Sequence, residues 1–271
     1  MRVRYWLTAV LATAALGFTS AQATQLVVTV QNLTSAGSLS LSPLFVAFHN
    51  GSFDTFNAGS AASPALESLA ELGDASGLAA NLGATDPGAM WGLIPVVGPS
   101  GLPQIEPGEM GSMTFNVNGA ANRYFSFAAM VVPSNDAFTS NDDPMATMLF
   151  GPGGNFLGPK TIMLTGNDVW DAGTEVNGLF GSAFIVGQDA TQHIAENGVV
   201  MLHSGFGVFD GQMMPNGQTF NVANADVGAG SGFSLARITI TQAPEPGSLF
   251  LMIGALGLGV FLLRRKAGGA A

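Results

Sequence analysis

Tyr124-Phe125-Ser126-Phe127-Ala128-Ala129-Met130-Val131-Val132, followed at once by Pro133-Ser134-Asn135-Asp136, is the stretch on which the fold turns. Its first nine residues are almost continuously apolar, which predicts a central strand of a sheet. Working outward, Leu26, Val28 and Val30 alternate with Val27, Thr29 and Gln31, the period of two that places one face on a core. Met113, Phe115 and Val117 alternate with Thr114 and Asn116 after a Pro107-Gly108 turn signal. Apolar or alternating runs at Pro43–His49, Met145–Phe150, Lys160–Leu164, Val199–His203 and Phe233–Thr241 bring the set to about eight strands. One helix is predicted after Ser63, with Pro64 in its first turn, Leu66, Leu69 and Ala70 on one face, and Gly73 as its stop. Residues 75–111, rich in Gly, Ala and Pro, read as one long insertion loop, and there is no internal repeat. Short strands, glycine-rich turns and one helix predict an all-β antiparallel sandwich.

The 271 residues include 37 glycines and no cysteine, which removes disulfide scaffolds, thiol nucleophiles and Cys-ligated metals. Only 10% of residues are charged, against roughly 25% in ordinary soluble domains. Yet 19 Phe and 3 Trp supply a core and exclude wholesale disorder. Most basic residues sit at the ends. Between residues 24 and 243, Arg123, Lys160 and Arg237 stand against 17 carboxylates, a formal charge of −14. Such a body has little with which to neutralise phosphates, so nucleic acid is excluded as a partner and cations are favoured.

Arg2 and Arg4, the apolar stretch Tyr5–Phe18 and the small residues of Ala21-Gln22-Ala23 form a secretory signal peptide over 1–23, with cleavage before Thr24. The other end, 243–271, carries Pro244-Glu245-Pro246, an apolar run Leu249–Leu263 and the triplet Arg264-Arg265-Lys266. Fifteen helical residues rise about 22 Å, short of a hydrocarbon core of roughly 30 Å. Basic residues after the helix should stay cytoplasmic. This order resembles the PEP-CTERM sorting signal of Gram-negative bacteria. That resemblance implies recognition and processing by an exosortase, a transient membrane stage through the C-terminal helix, and a link to exopolysaccharide or biofilm matrix. A permanent single-pass anchor is the alternative.

No GxSxG, Walker A, HExxH or strand-to-helix GxGxxG motif occurs in the body, 24–242. His49, His193 and His203 stand alone in sequence and read as structural. Acidic turns carry more information: Pro133–Phe138, and Trp170-Asp171-Ala172-Gly173-Thr174-Glu175, where Gly173 permits a tight turn. Calcium takes about 6–8 oxygen ligands, which carboxylates and loop carbonyls can supply. On spacing alone the same acids could equally be turn formers.

Pro-Ser-Asn-Asp at 133–136 and Trp-Asp-Ala-Gly-Thr-Glu at 170–175 resemble the two signature loops of spondin domains. Ser42-Pro43 leading to His49, Ala70-Glu71-Leu72-Gly73 and His203 before Gly205-Phe206 fit bacterial members, and the resemblance spans about 25–241. It implies a C2-like antiparallel β-sandwich with one Ca²⁺ held by Asp136, Asp171 and Glu175. Glu175 departs from the Asp of animal members, so the local loop must shift. With no thrombospondin-type repeat and no cysteine, animal adhesion partners do not transfer. The expected function is a non-enzymatic, exported calcium-binding protein of the cell envelope or extracellular matrix. A carbohydrate-binding module using Trp91 and Trp170 is the alternative, and a calcium-dependent hydrolase lacks an assembled nucleophile and base.

Overall fold

A computed structural model describes residues 23–96 and 98–244. The segment expected to be a signal peptide, apart from Ala23, and the tail from Glu245 onward, including Leu249–Leu263, lie outside the described residues. Eleven strands and two helices follow in order: β1 Thr24–Asn32, β2 Ser40–Leu41, β3 Leu44–His49, α1 Pro64–Leu72, α2 Ser76–Thr85, β4 Met90–Ile94, β5 Met110–Val117, β6 Tyr124–Val132, β7 Ala137–Ser140, β8 Lys160–Thr165, β9 Val169–Asp171, β10 Met201–Leu202 and β11 Ser234–Gln242. They form two antiparallel sheets packed as a sandwich. One sheet has four strands in the order β5-β1-β11-β8; the other has seven, running β10-β9-β7-β6-β3-β4 with β2 also paired to β6.

The continuous apolar run of β6 has a structural cause. Phe125, Phe127, Ala129 and Val131 face the core between the sheets, with Leu26, Val28 and Val30 of β1. Ala128, on the other face, joins a second core with Phe45 and Ala47 of β3 and Leu66, Leu69, Leu78 and Leu82 of the helices. The larger sheet is therefore covered on both sides, which removes the need for a polar face.

Helix α1 forms as its sequence predicts. The Ser63 hydroxyl accepts the Leu66 N–H at 3.2 Å, and Gly73, at φ 69°, donates its N–H to Leu69 at 2.9 Å. That Ser63 cap contributes about 1 kcal/mol.

Four expectations need correction. Residues 75–111 are not one insertion loop, and the helix count is two rather than one, because α2 and β4 occupy much of that segment. The composition hides α2: Gly77 and the alanines give it little amphipathic contrast, and only Leu78 and Leu82 are buried. Gly77 lets it close on α1, since a Cβ there would lie 2.9 Å from the Ala65 Cβ. Met145–Phe150 is not a strand; it makes isolated bridges, Tyr124 with Met148 and Phe150 with Phe156. Val199–His203 shortens to β10.

Candidate metal centre

Strand register brings the two acidic loops together. Ala137, the first residue of β7, pairs with Asp171, the last of β9. Asp136 and Ala172 therefore step off neighbouring strands side by side, and the Ala172 N–H donates to the Asp136 carbonyl at 3.1 Å. Sequence reading placed Phe138 and Trp170 in loops; both lie in strands, and the turns occupy the residues just beyond. Gly173 adopts φ 67°, and a Cβ there would meet the Val199 backbone N and O at 2.7 Å. Its N–H donates to Asp171 Oδ1 at 2.7 Å, which closes the turn. The chain then folds back on Asp136: Oδ2 accepts the Thr174 N–H at 2.8 Å, the Thr174 hydroxyl at 3.1 Å and the Glu175 N–H at 3.0 Å.

All three expected ligands are buried, with exposures of 0% for Asp136, 6% for Asp171 and 1% for Glu175. Asp136 Oδ1 and Glu175 Oε1 have no hydrogen-bond partner and no contact with solvent. Glu175 Oε2 accepts from Asn135 Nδ2 at 3.3 Å. Asp171 is fully engaged, because Asn177 Nδ2 donates to its Oδ2 at 2.5 Å. Burial, and then the charge of Asp171, push the Asp136 carboxyl up to about 6 despite the three bonds that favour its ionised form. Burial, and then the charges of Glu71 and Asp136, push Glu175 up to about 8. Orphaned oxygens at Asp136 and Glu175, and the repulsion around them, are what a cation would relieve. The three expected carboxylates, however, do not form a cluster within 4.8 Å, and both Asp171 oxygens already accept N–H donors.

The geometry also adds residues. Glu71, Glu175 and His193 each offer a ligand atom, all within 4.8 Å of one another. Asp136 and Asp171 thus face each other electrically, while the Glu175 side chain turns towards Glu71 at the end of α1. Glu71 is buried near the end of α1 although it lies about 100° round the helix from Ala70, off the apolar face, so periodicity did not single it out. Exposed His193 had no sequence signal either. Both ring nitrogens of His49 are partnered: Nε2 bonds the Ser126 hydroxyl at 3.0 Å and Nδ1 accepts the Gly51 N–H at 3.1 Å. The His203 ring stacks on Phe206 at 4.2 Å and its Nδ1 accepts the Gly205 N–H at 3.1 Å, while its Nε2 is buried without a partner in a ring that feels the charge of Asp171. Burial holds both imidazoles down at about 4.

Trp91 and Trp170 do not share a platform. Trp170 packs on Phe56 with ring centroids 5.0 Å apart. Trp91, 46% exposed on β4, is four strands away in the sheet order, roughly 19 Å at ordinary strand spacing. Among the described residues no helix is long and apolar enough to cross a membrane.

No curated protein matches the chain. The Spondin_N family matches it over residues 33–195, a span that holds both helices and both acidic loops and leaves β1, β10 and β11 outside. That span is more than half of the chain, and the protein belongs to the Spondin_N family.

Proposed function

We propose that the protein is an exported, calcium-binding spondin-domain protein of the cell envelope or extracellular matrix, structural or adhesive rather than catalytic, with a C2-like sandwich. Asp136, Asp171 and Glu175 would hold the ion, with Glu71 beside Glu175. Bound calcium would supply the positive charge that the loops lack and rigidify them at the edges of β7 and β9. The observation that carries this reading is the pair of buried, unpartnered oxygens, Asp136 Oδ1 and Glu175 Oε1, where two loops meet. Export, exosortase sorting through the C-terminal tail, and delivery to a polysaccharide matrix rest on the terminal sequences alone.

A second reading is favoured by His193, because an imidazole beside two carboxylates suits a transition metal such as zinc better than calcium. Titration calorimetry with each ion distinguishes them. Asp136→Asn and Asp171→Asn are each expected to weaken calcium binding at least about tenfold, a loss of about 1.4 kcal/mol. Asp142→Asn, in the exposed loop beyond β7, and His193→Ala should leave it unchanged. Zinc binding that is tight, and lost in His193→Ala, would favour the second reading. Unchanged calcium affinity in Asp171→Asn would remove that residue from the site.

A further inference from the structure

Glu106 and Glu109 flank the Pro107-Gly108 turn that leads into β5, and both are buried, at 5% and 7% exposure. The Glu109 carboxylate fastens the preceding loop: Oε1 accepts the Ser100 N–H at 2.9 Å and Oε2 the Glu106 N–H at 3.1 Å. Glu106 Oε2 accepts from the Ser40 hydroxyl at 3.1 Å and from Asn216 Nδ2 at 2.7 Å. Its other oxygen, Oε1, is sealed from solvent and has no partner. Glu106 and Glu109 line a cleft of about 320 Å³ with Ser100, Asn216 and Gln218, and no basic side chain lines it.

Hydrogen bonding alone does not account for a carboxylate at 106. A glutamine there could accept from Ser40 and Asn216 through its amide oxygen at far lower desolvation cost. What the acid adds is charge, placed next to a second buried acid with nothing positive to offset it. Burial, and the neighbouring Glu109 charge, push the Glu106 carboxyl up, the same sign as at the first centre. The carboxylates supply the oxygens, since Asn216 turns its Nδ2 to Glu106, Asn216 Oδ1 accepts the Gln218 N–H and Gln218 Oε1 accepts the Gly37 N–H. That donor set suits hard divalent ions, and the cleft has room for the waters that would complete the shell.

We propose that the cleft between Glu106 and Glu109 is a second cation site, for calcium or an ion of the same hardness. An ion there would reinforce the Leu41–Ile105 backbone pair that already joins β2 to the loop before β5, and would tie both to the Asn216 turn. The site is separate in sequence and in its residues from the Asp136 loops, so neither depends on the other.

The test is calcium stoichiometry of the full chain in mild detergent, by titration calorimetry. Wild type is expected to bind two ions and Glu106→Gln one, with Asp136→Asn also retaining one and the double variant none. Glu106→Gln keeps the bonds to Ser40 and Asn216, so the fold should survive. A second measurement needs no variant: substoichiometric manganese should broaden the amide signals of Ser100 and Glu106 in the wild-type protein. A calcium count that Glu106→Gln leaves unchanged, whether nil, one or two, overturns the proposal. Sharp Ser100 and Glu106 signals in excess manganese overturn it equally.

Discussion

Asp136 carries one oxygen that a turn former would need and one that it would not. Oδ2 closes the second loop through three donors, whereas Oδ1 is buried and bonded to nothing. A turn accounts for the first oxygen alone. A cation accounts for both, and it sets a pH dependence. With Asp136 held near 6 and Glu175 near 8, the metal-free centre carries protons at neutral pH that calcium must displace. Rising pH removes those protons beforehand, so calcium affinity should rise between pH 6 and 8, by up to about tenfold per unit for each proton displaced. Calorimetry in two buffers of different ionisation enthalpy would read the released protons directly. An affinity flat from pH 6 to 8, with no proton release, would contradict this picture.

At the scale of elements, the turn after β9 is the part that a small change should break. Gly173→Ala places a Cβ against the Val199 backbone in a left-handed conformation, so it should cost about 1–3 kcal/mol of stability and loosen the loop from Asp171 to Glu175. Gly178→Ala, whose Cβ would meet nothing closer than 3.8 Å, should be tolerated. Denaturant unfolding of both variants checks the contrast. The same elements separate what the sequence made legible from what it did not. β1, β5, β6 and β11 were readable because their apolar residues alternate or run without a break, and burial follows that pattern. α2 was not, because glycine and alanine erase its periodicity and its packing depends on Gly77 meeting Ala65, a tertiary fact. Met145–Phe150 looks like a strand locally but finds no continuous partner. At the site, Asp136, Asp171 and Glu175 stood out by resemblance to spondin loops. The approach of Glu71 and His193 to Glu175 comes from α1 and a distant loop, and no local pattern encodes it.

For the whole molecule, the central question is whether the −14 body is held together by specific ions or merely relieved by salt. Screening acts on all charges at once and depends on ionic strength, with a Debye length of about 10 Å at 0.1 M. A bound ion acts through its affinity for the folded state, about 2.7 kcal/mol at a hundredfold excess over Kd. Glu175→Gln separates the two effects because its sign should invert. Without calcium, at a pH above about 8 where Glu175 is ionised, the neutral side chain removes a buried charge that Glu71 and Asp136 repel, and should stabilise the fold. With calcium, it removes a ligand, and should weaken it. The decisive measurement is thermal unfolding of wild type and Glu175→Gln at about pH 9, where Glu175 is ionised, in chelator with sodium and in calcium at matched ionic strength. The expected result is a crossing, with the variant melting higher in chelator and the wild type melting higher in calcium. Equal responses of both proteins to sodium and calcium, with their order unchanged, would contradict the calcium centre.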